Sequence, residues 1–213
     1  MELKEEIIDI QNWDRKEHLE LFNSNEALPF YTITVNLDVT NVYHYSKQNN
    51  FSFYATMIYI VANEMKKIKN YRYRLRDNQV ILLNDLIPGF TFMPKDSENF
   101  KIGIIDANQT LQSFNDTYKE IVETQKELLP KVDFSLEYLI QISCVPWINY
   151  SSVDLEVKLM HDDCVPRVVW GKLINTDGKY TIQFSVQVNH KMVDAIHVGM
   201  LINNLEQKIG EMN

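Results

Sequence analysis

The chain has 213 residues, 45% hydrophobic and 23% charged, with 21 Lys and Arg against 29 Asp and Glu and a formal net charge of -8. That length supports one sizeable core, and the acidic balance argues against nucleic acid or an anionic membrane as a partner held by bulk charge. No apolar run approaches the roughly 20 residues that span a bilayer. The charged stretch from Met1 to Ile10 lacks a signal-peptide pattern, and Cys144 and Cys164 read as buried thiols of a cytoplasmic protein.

No repeat or Pro/Gly-rich linker divides the chain, so a single domain over 1–213 is expected. Asp14–Phe22 predicts a short helix. Tyr31–Thr40 alternates apolar and polar residues, the pattern of a strand with one buried face. Phe53–Lys69 has helical spacing and a basic end. The basic run Lys66, Lys67, Lys69, Arg72, Arg74 and Arg76 reads as a solvated helix end and loop. Strands follow at Gln79–Asn84, Gly89–Met93 and Lys101–Asp106, then a helix at Leu111–Leu128 stopped by Pro130.

Leu139–Trp147 and Tyr150–Leu159 read as strands. Val168–Ile174 and Lys179–Asn189 form a hairpin around Asn175-Thr176-Asp177-Gly178, and a last helix covers Ala195–Ile209. Without regular βαβ alternation the class is α+β, a mixed β-sheet with flanking helices.

His190 falls in the apolar parity of its strand, with Val186 and Val188, at the point where the chain turns towards a helix. That predicts a sheltered imidazole, which burial keeps neutral and fit to act as a general base. Asp194, four residues on, stands at an N-cap position. On spacing alone, a satisfied core histidine and a helix cap are the commoner explanations of the two residues. His161-Asp162-Asp163 has no matching ligand set, so no metal is expected. No P-loop, G-x-G-x-x-G or G-x-S-x-G occurs.

The wider string Ser185-Val186-Gln187-Val188-Asn189-His190-Lys191-Met192-Val193-Asp194-Ala195-Ile196-His197-Val198-Gly199 resembles the C-terminal signature of the chloramphenicol acetyltransferase family, His-His-x-x-x-Asp-Gly followed by Phe-His-Val. Other segments are similar to that family in the same order: Asn12–His18, Thr34–Asp38, Phe53–Tyr59, Tyr71–Arg74, Pro146-Trp147 and Ser152–Leu155. The resemblance spans nearly the whole chain. It implies the family's fold, acetyl-CoA as co-substrate, a small hydroxylated acceptor such as chloramphenicol (hence antibiotic resistance), and a homotrimer with active sites between subunits.

Residue by residue, the resemblance makes His190 the general base, with Asp194 and Arg15 as a structural pair that shapes its loop. Lys172 and Tyr54 are implied on the CoA side, Tyr31 and Phe30 on the acceptor side. Asn149 stands where the family has the serine that hydrogen-bonds the oxyanion, and an Asn amide can also donate there. Val169 replaces a water-holding threonine, Asn189 the first motif histidine, and Ala195 the motif glycine. Ala195 is therefore expected to alter the loop, because Ala tolerates positive φ poorly. Pro29 and Phe30 replace Cys-Thr. Three readings follow: an O-acetyltransferase, a homologue that keeps the fold and binds a ligand without turnover, and an acyltransferase with a larger donor or a non-antibiotic acceptor.

Overall fold

The computed structural model describes residues 2–24, 28–158 and 162–212. The main sheet has seven strands along the path β2-β10-β8-β7-β5-β6, with β9 attached to β10. Its members are β2 (Phe30–Asp38), β5 (Ile87–Phe92), β6 (Lys101–Ile104), β7 (Leu139–Cys144), β8 (Arg167–Trp170), β9 (Ile174–Thr176) and β10 (Lys179–Asn189). Pairs β5–β7 and β7–β8 are parallel and the rest antiparallel, so the sheet is mixed as expected. A small second sheet runs β1-β4-β3, from Glu5–Ile7, Gln79–Leu83 and Tyr73–Arg76. The helices are α1 (Lys16–Ser24), α2 (Thr40–Gln48), α3 (Phe53–Met65), α4 (Leu111–Thr124) and α5 (Ala195–Gly210).

The two faces of the main sheet differ in chemistry, and strand parity decides which residues go where. Phe90, Ile142, Val168, Val186 and Ile33 stand in one register row, on the face packed by α3. Tyr54 of α3 rests on Trp170 and Phe90 there. The opposite face carries the row Thr91, Ser143, Val169, Ser185 and Thr34. Thr91 and Ser143 share a hydrogen bond of 2.8 Å, and Thr34 and Ser185 one of 2.7 Å. Val169 interrupts this line of hydroxyls.

α3 is buried on nearly every side, which explains its continuous apolar sequence. Ser52 caps it by accepting from the Ala55 amide at 3.3 Å. The helix stops at Met65 rather than Lys69, because the chain turns into a 3-10 segment at Lys69–Arg72 and then into β3. That turn corrects the reading of the basic run as solvated. Arg74 is buried, and its guanidinium donates to the carbonyls of Tyr71, Tyr73, Glu137 and Leu139. Arg76 pairs with Glu5 and Glu137.

Two more expectations change. Val168–Ile174 is broken into β8 and β9 by Gly171–Leu173. Ser152–Lys158 is extended, with Val153, Leu155 and Val157 half-buried and the residues between them exposed, yet it joins no ladder among the described residues. The predicted strand over Tyr150–Leu159 is therefore not formed among the described residues, although its period-two burial is. Leu159, the end of that predicted strand, lies outside the described residues, as does His161. Asp163 is buried in an ion pair with Arg167 at 2.6 Å. Among the described residues no group of His, Cys, Asp and Glu is arranged to hold a metal.

Gly103 pairs with Phe90 across β5–β6, and an added Cβ would stand 2.4 Å from the Phe90 ring. Gly103→Ala is expected to cost about 1–3 kcal/mol by overpacking, read as a lower urea midpoint at unchanged slope. Phe90→Leu in the same chain should recover part of that loss. An unshifted midpoint in Gly103→Ala would show that the ring moves freely.

Candidate active site

β10 ends at Asn189 because the chain there swings into a short turn and then α5. The His190 amide donates to the Pro29 carbonyl at 2.7 Å, the last bond that ties this end to β2. The imidazole meets two aromatic rings, Phe22 stacked at 4.8 Å and Tyr31 tilted at 4.8 Å. Its side chain is 41% exposed, so the expectation of a sheltered ring holds for only part of it. Parity did point it to the helix-covered face, but α5 starts one turn later and leaves the rim open.

Nδ1 is shielded from water and sits 3.1 Å from Asp194 Oδ1. The contact is close enough for charge attraction but lacks the angle of a hydrogen bond. With Nδ1 buried, the exposed part of the side chain lies elsewhere on the ring. In the neutral tautomer that carries its proton on Nδ1, the lone pair lies on Nε2.

Arg15 holds this loop. It is buried, and its guanidinium donates twice to Asp194, to the His190 carbonyl at 3.1 Å and to the Lys191 carbonyl at 3.2 Å. The hydrogen bonds from Arg15 hold the Asp194 carboxyl below its ordinary range, so it stays ionised at neutral pH. On the other side, the Asp194 amide donates to His197 Nδ1 at 2.9 Å, closing the first turn of α5. Ala195 is not among the residues with positive φ, so the swap from glycine leaves no strain. Asn189, in place of a histidine, is buried, donates to the Asp163 carbonyl and accepts from the Lys191 amide. It locks the turn from inside.

The remaining predicted residues divide into two groups. Tyr31 joins His190: its hydroxyl donates to the Val193 carbonyl at 3.1 Å, and burial, aided by the Asp194 charge, pushes its phenol up to about 12. Phe30 starts β2 beside Asn189, under the guanidinium of Arg167. Asn149, Lys172 and Tyr54 are elsewhere. Asn149 follows β7 on an exposed loop whose Ile148 carbonyl accepts from the Lys172 amide at 2.9 Å. Cys144, the last residue of β7, is level with Trp170 and Phe184, six residues before His190 on β10. At about 3.3 Å per residue the two groups are about 20 Å apart along the strand. Tyr54 packs below that loop, with its hydroxyl on the Thr91 carbonyl at 2.8 Å.

A cavity of about 770 Å³ opens on the hydroxyl-bearing face, lined by Thr91, Ser143, Phe100, Ile102, Leu136 and Leu155 among others. Sequence reasoning missed it. Its walls come from residues scattered between Glu5 and Val168 with no shared motif, and only the polar parity of β5 and β7 hinted at a lined face. His190 belongs to the other face and does not line it.

These features define a two-layer α+β protein with an imidazole presented on a clamped strand end. Solved structures share the architecture: a chloramphenicol acetyltransferase superposes with a TM-score of 0.85 at 20% identity, covering 97% of this chain and 100% of its own. A truncated catalytic core of the 2-oxoacid dehydrogenase complex from Thermoplasma acidophilum superposes with a TM-score of 0.67 at 16% identity, covering 98% and 99%. The family model described as chloramphenicol acetyltransferase matches residues 3–206. Relatives of that name are 28% identical in Proteus mirabilis, over 96% of this chain and 94% of theirs, and 28% identical in Staphylococcus aureus, over 97% of each. The chain belongs to the chloramphenicol acetyltransferase family.

Two tests follow from the clamp. Arg15→Ala leaves Asp194 and two carbonyls without their donor, and is expected to cost about 3 kcal/mol. Adding Asp194→Ala should cost less than the two single losses summed, and strict additivity in urea melts would separate the pair. His197 is held below its ordinary value of 6.5, by burial first and by the Arg15 charge second. The folded protein therefore binds this proton less readily than the unfolded chain. Stability from this group is full above about pH 6.5 and declines as the pH falls through that value. Between about pH 7.5 and 5.5, His197→Gln should lose less stability than the wild type; equal losses would contradict this assignment.

Proposed function

We propose that the chain is a CoA-dependent O-acetyltransferase that moves an acetyl group from acetyl-CoA to a hydroxyl of a small acceptor, chloramphenicol among the candidates. His190 Nε2 takes the proton of the acceptor hydroxyl, and the freed oxygen attacks the thioester carbonyl. The tetrahedral oxyanion is stabilised by the Asn149 side-chain amide. Collapse expels the CoA thiolate, the proton returns from the imidazolium to sulfur, and an acetyl ester and free CoA leave. The observation that carries this reading is the Arg15–Asp194 clamp, which sets a carboxylate 3.1 Å from the shielded Nδ1 of His190. Lys172 and Tyr54 are assigned to the CoA side, Tyr31 and Phe30 to the acceptor side. A cytoplasmic site of action accompanies this reading; no helix among the described residues is long and apolar enough to cross a membrane.

The site is completed between copies of the chain, as a homotrimer. Within one chain His190 lies on the opposite sheet face from the cavity and about 20 Å along the strand from the level of Cys144, where the Asn149 loop begins. A second copy brings them together without bending the sheet. The unladdered segment Ser152–Lys158 and the exposed Trp147, Ile148 and Ile196 supply surface for such a contact.

A second reading keeps the fold and binds a ligand without turnover. Val169, which breaks the hydroxyl line, and Asn149 in the oxyanion position favour it. Thiol release from acetyl-CoA separates the readings. Release that depends on chloramphenicol and disappears in His190→Ala is the expected result, and Asn149→Ala should lower kcat about 100- to 1000-fold with little change in KM for acetyl-CoA. Full activity in His190→Ala would remove it as the base. Silence across a panel of hydroxylated acceptors would favour the non-catalytic reading.

A further inference from the structure

We infer that Tyr150 is a positioning residue that sets Asn149 through its phenolic hydroxyl; the inference rests on the proposed role of Asn149 as oxyanion donor. Asn149 itself is exposed, and its side chain makes no hydrogen bond among the described residues. Its placement therefore depends on the backbone either side of it. On the N-terminal side the Val145 amide donates to the Trp170 carbonyl at 2.9 Å and the Ile148 amide to the Val145 carbonyl at 3.1 Å. The Lys172 amide then holds the Ile148 carbonyl at 2.9 Å.

Tyr150 provides the C-terminal anchor. Its hydroxyl oxygen is 3.0 Å from the Val169 carbonyl, 3.2 Å from the Gln183 carbonyl and 3.1 Å from Ser185 Oγ. A phenol has one proton to give. That proton goes to the carbonyl side, where Val169 is the nearer acceptor, which leaves the phenolic oxygen to accept from Ser185, itself bonded to Thr34. The phenolic oxygen thus enters the hydroxyl line where Val169 leaves it open. Gly171 makes the approach possible: a Cβ there would stand 2.9 Å from the Ile148 carbonyl and 3.1 Å from the Tyr150 ring. Burial pushes the phenol above its ordinary pKa, so it remains a donor at neutral pH.

An oxyanion donor works by being in place before charge develops. Loss of the phenolic anchor leaves the donor present but less ordered. Tyr150→Phe is expected to lower kcat roughly three- to tenfold, the range of one net hydrogen bond, with KM for acetyl-CoA unchanged. In an Asn149→Ala background the same change should add little, because the residue through which it acts is gone. An unchanged kcat in Tyr150→Phe would overturn the inference, and so would an equal further loss in Asn149→Ala.

Amide hydrogen exchange of the full-length protein tests the anchor without turnover. Exchange at Ile148 and Lys172 should quicken in Tyr150→Phe while the β2–β10 ladder amides keep their rates. Equal exchange in both proteins would overturn the inference. If the wild type turns over no acceptor, the functional reading fails on that observation and the exchange rates alone decide the anchor.

Discussion

A buried guanidinium at the start of the chain governs the geometry at its far end. Arg15 reaches across to residues 190–194 and binds a carboxylate and two backbone carbonyls at once. A planar five-donor fork is the side chain suited to that task, and Lys could not replace it. The carboxylate it holds is the same one that faces His190 Nδ1, and the amide of that residue engages His197. Strand end, the His190 imidazole and helix start are thus coupled through one ion pair. Breaking it would disturb all three, since an uncompensated charge in a mostly buried site must find water or move.

The sheet supplies the second constraint. Strand parity sends Val186 and Val188 to the helix-covered face and Ser185 and Gln187 to the other, and His190 follows the first set. The cavity and the hydroxyl line belong to the second face. A single copy therefore carries His190 and the cavity on opposite faces of the sheet. The proposed trimer resolves this by pairing the imidazole of one copy with the pocket of another. In such an assembly a symmetric contact repeats the composite site around the axis.

Much of this was legible in the sequence, and the failures have physical causes. The alternation in Lys179–Asn189, its Asp177-Gly178 turn and the helix from Ala195 were readable because their patterns are local. The resemblance in the same stretch brought Arg15 and Asp194 together across nearly the whole chain, which spacing alone could not do. Arg74 was misread because a basic run says nothing about which member turns inward to bond carbonyls. Ser152–Lys158 carried the alternation of a strand, yet among the described residues it joins no ladder. The exposure of His190 depended on where α5 begins rather than on parity. The cavity and the Tyr150 anchor arise from residues distant in sequence that meet only on the folded sheet.

The most direct test of the composite site is subunit complementation. His190→Ala and Asn149→Ala subunits, each nearly inactive alone, are denatured together, refolded and assayed for acceptor-dependent thiol release. If each site takes His190 from one copy and Asn149 from another, random mixing restores about a quarter of wild-type turnover. Mixed oligomers that stay as inactive as their parents would contradict a site shared between subunits.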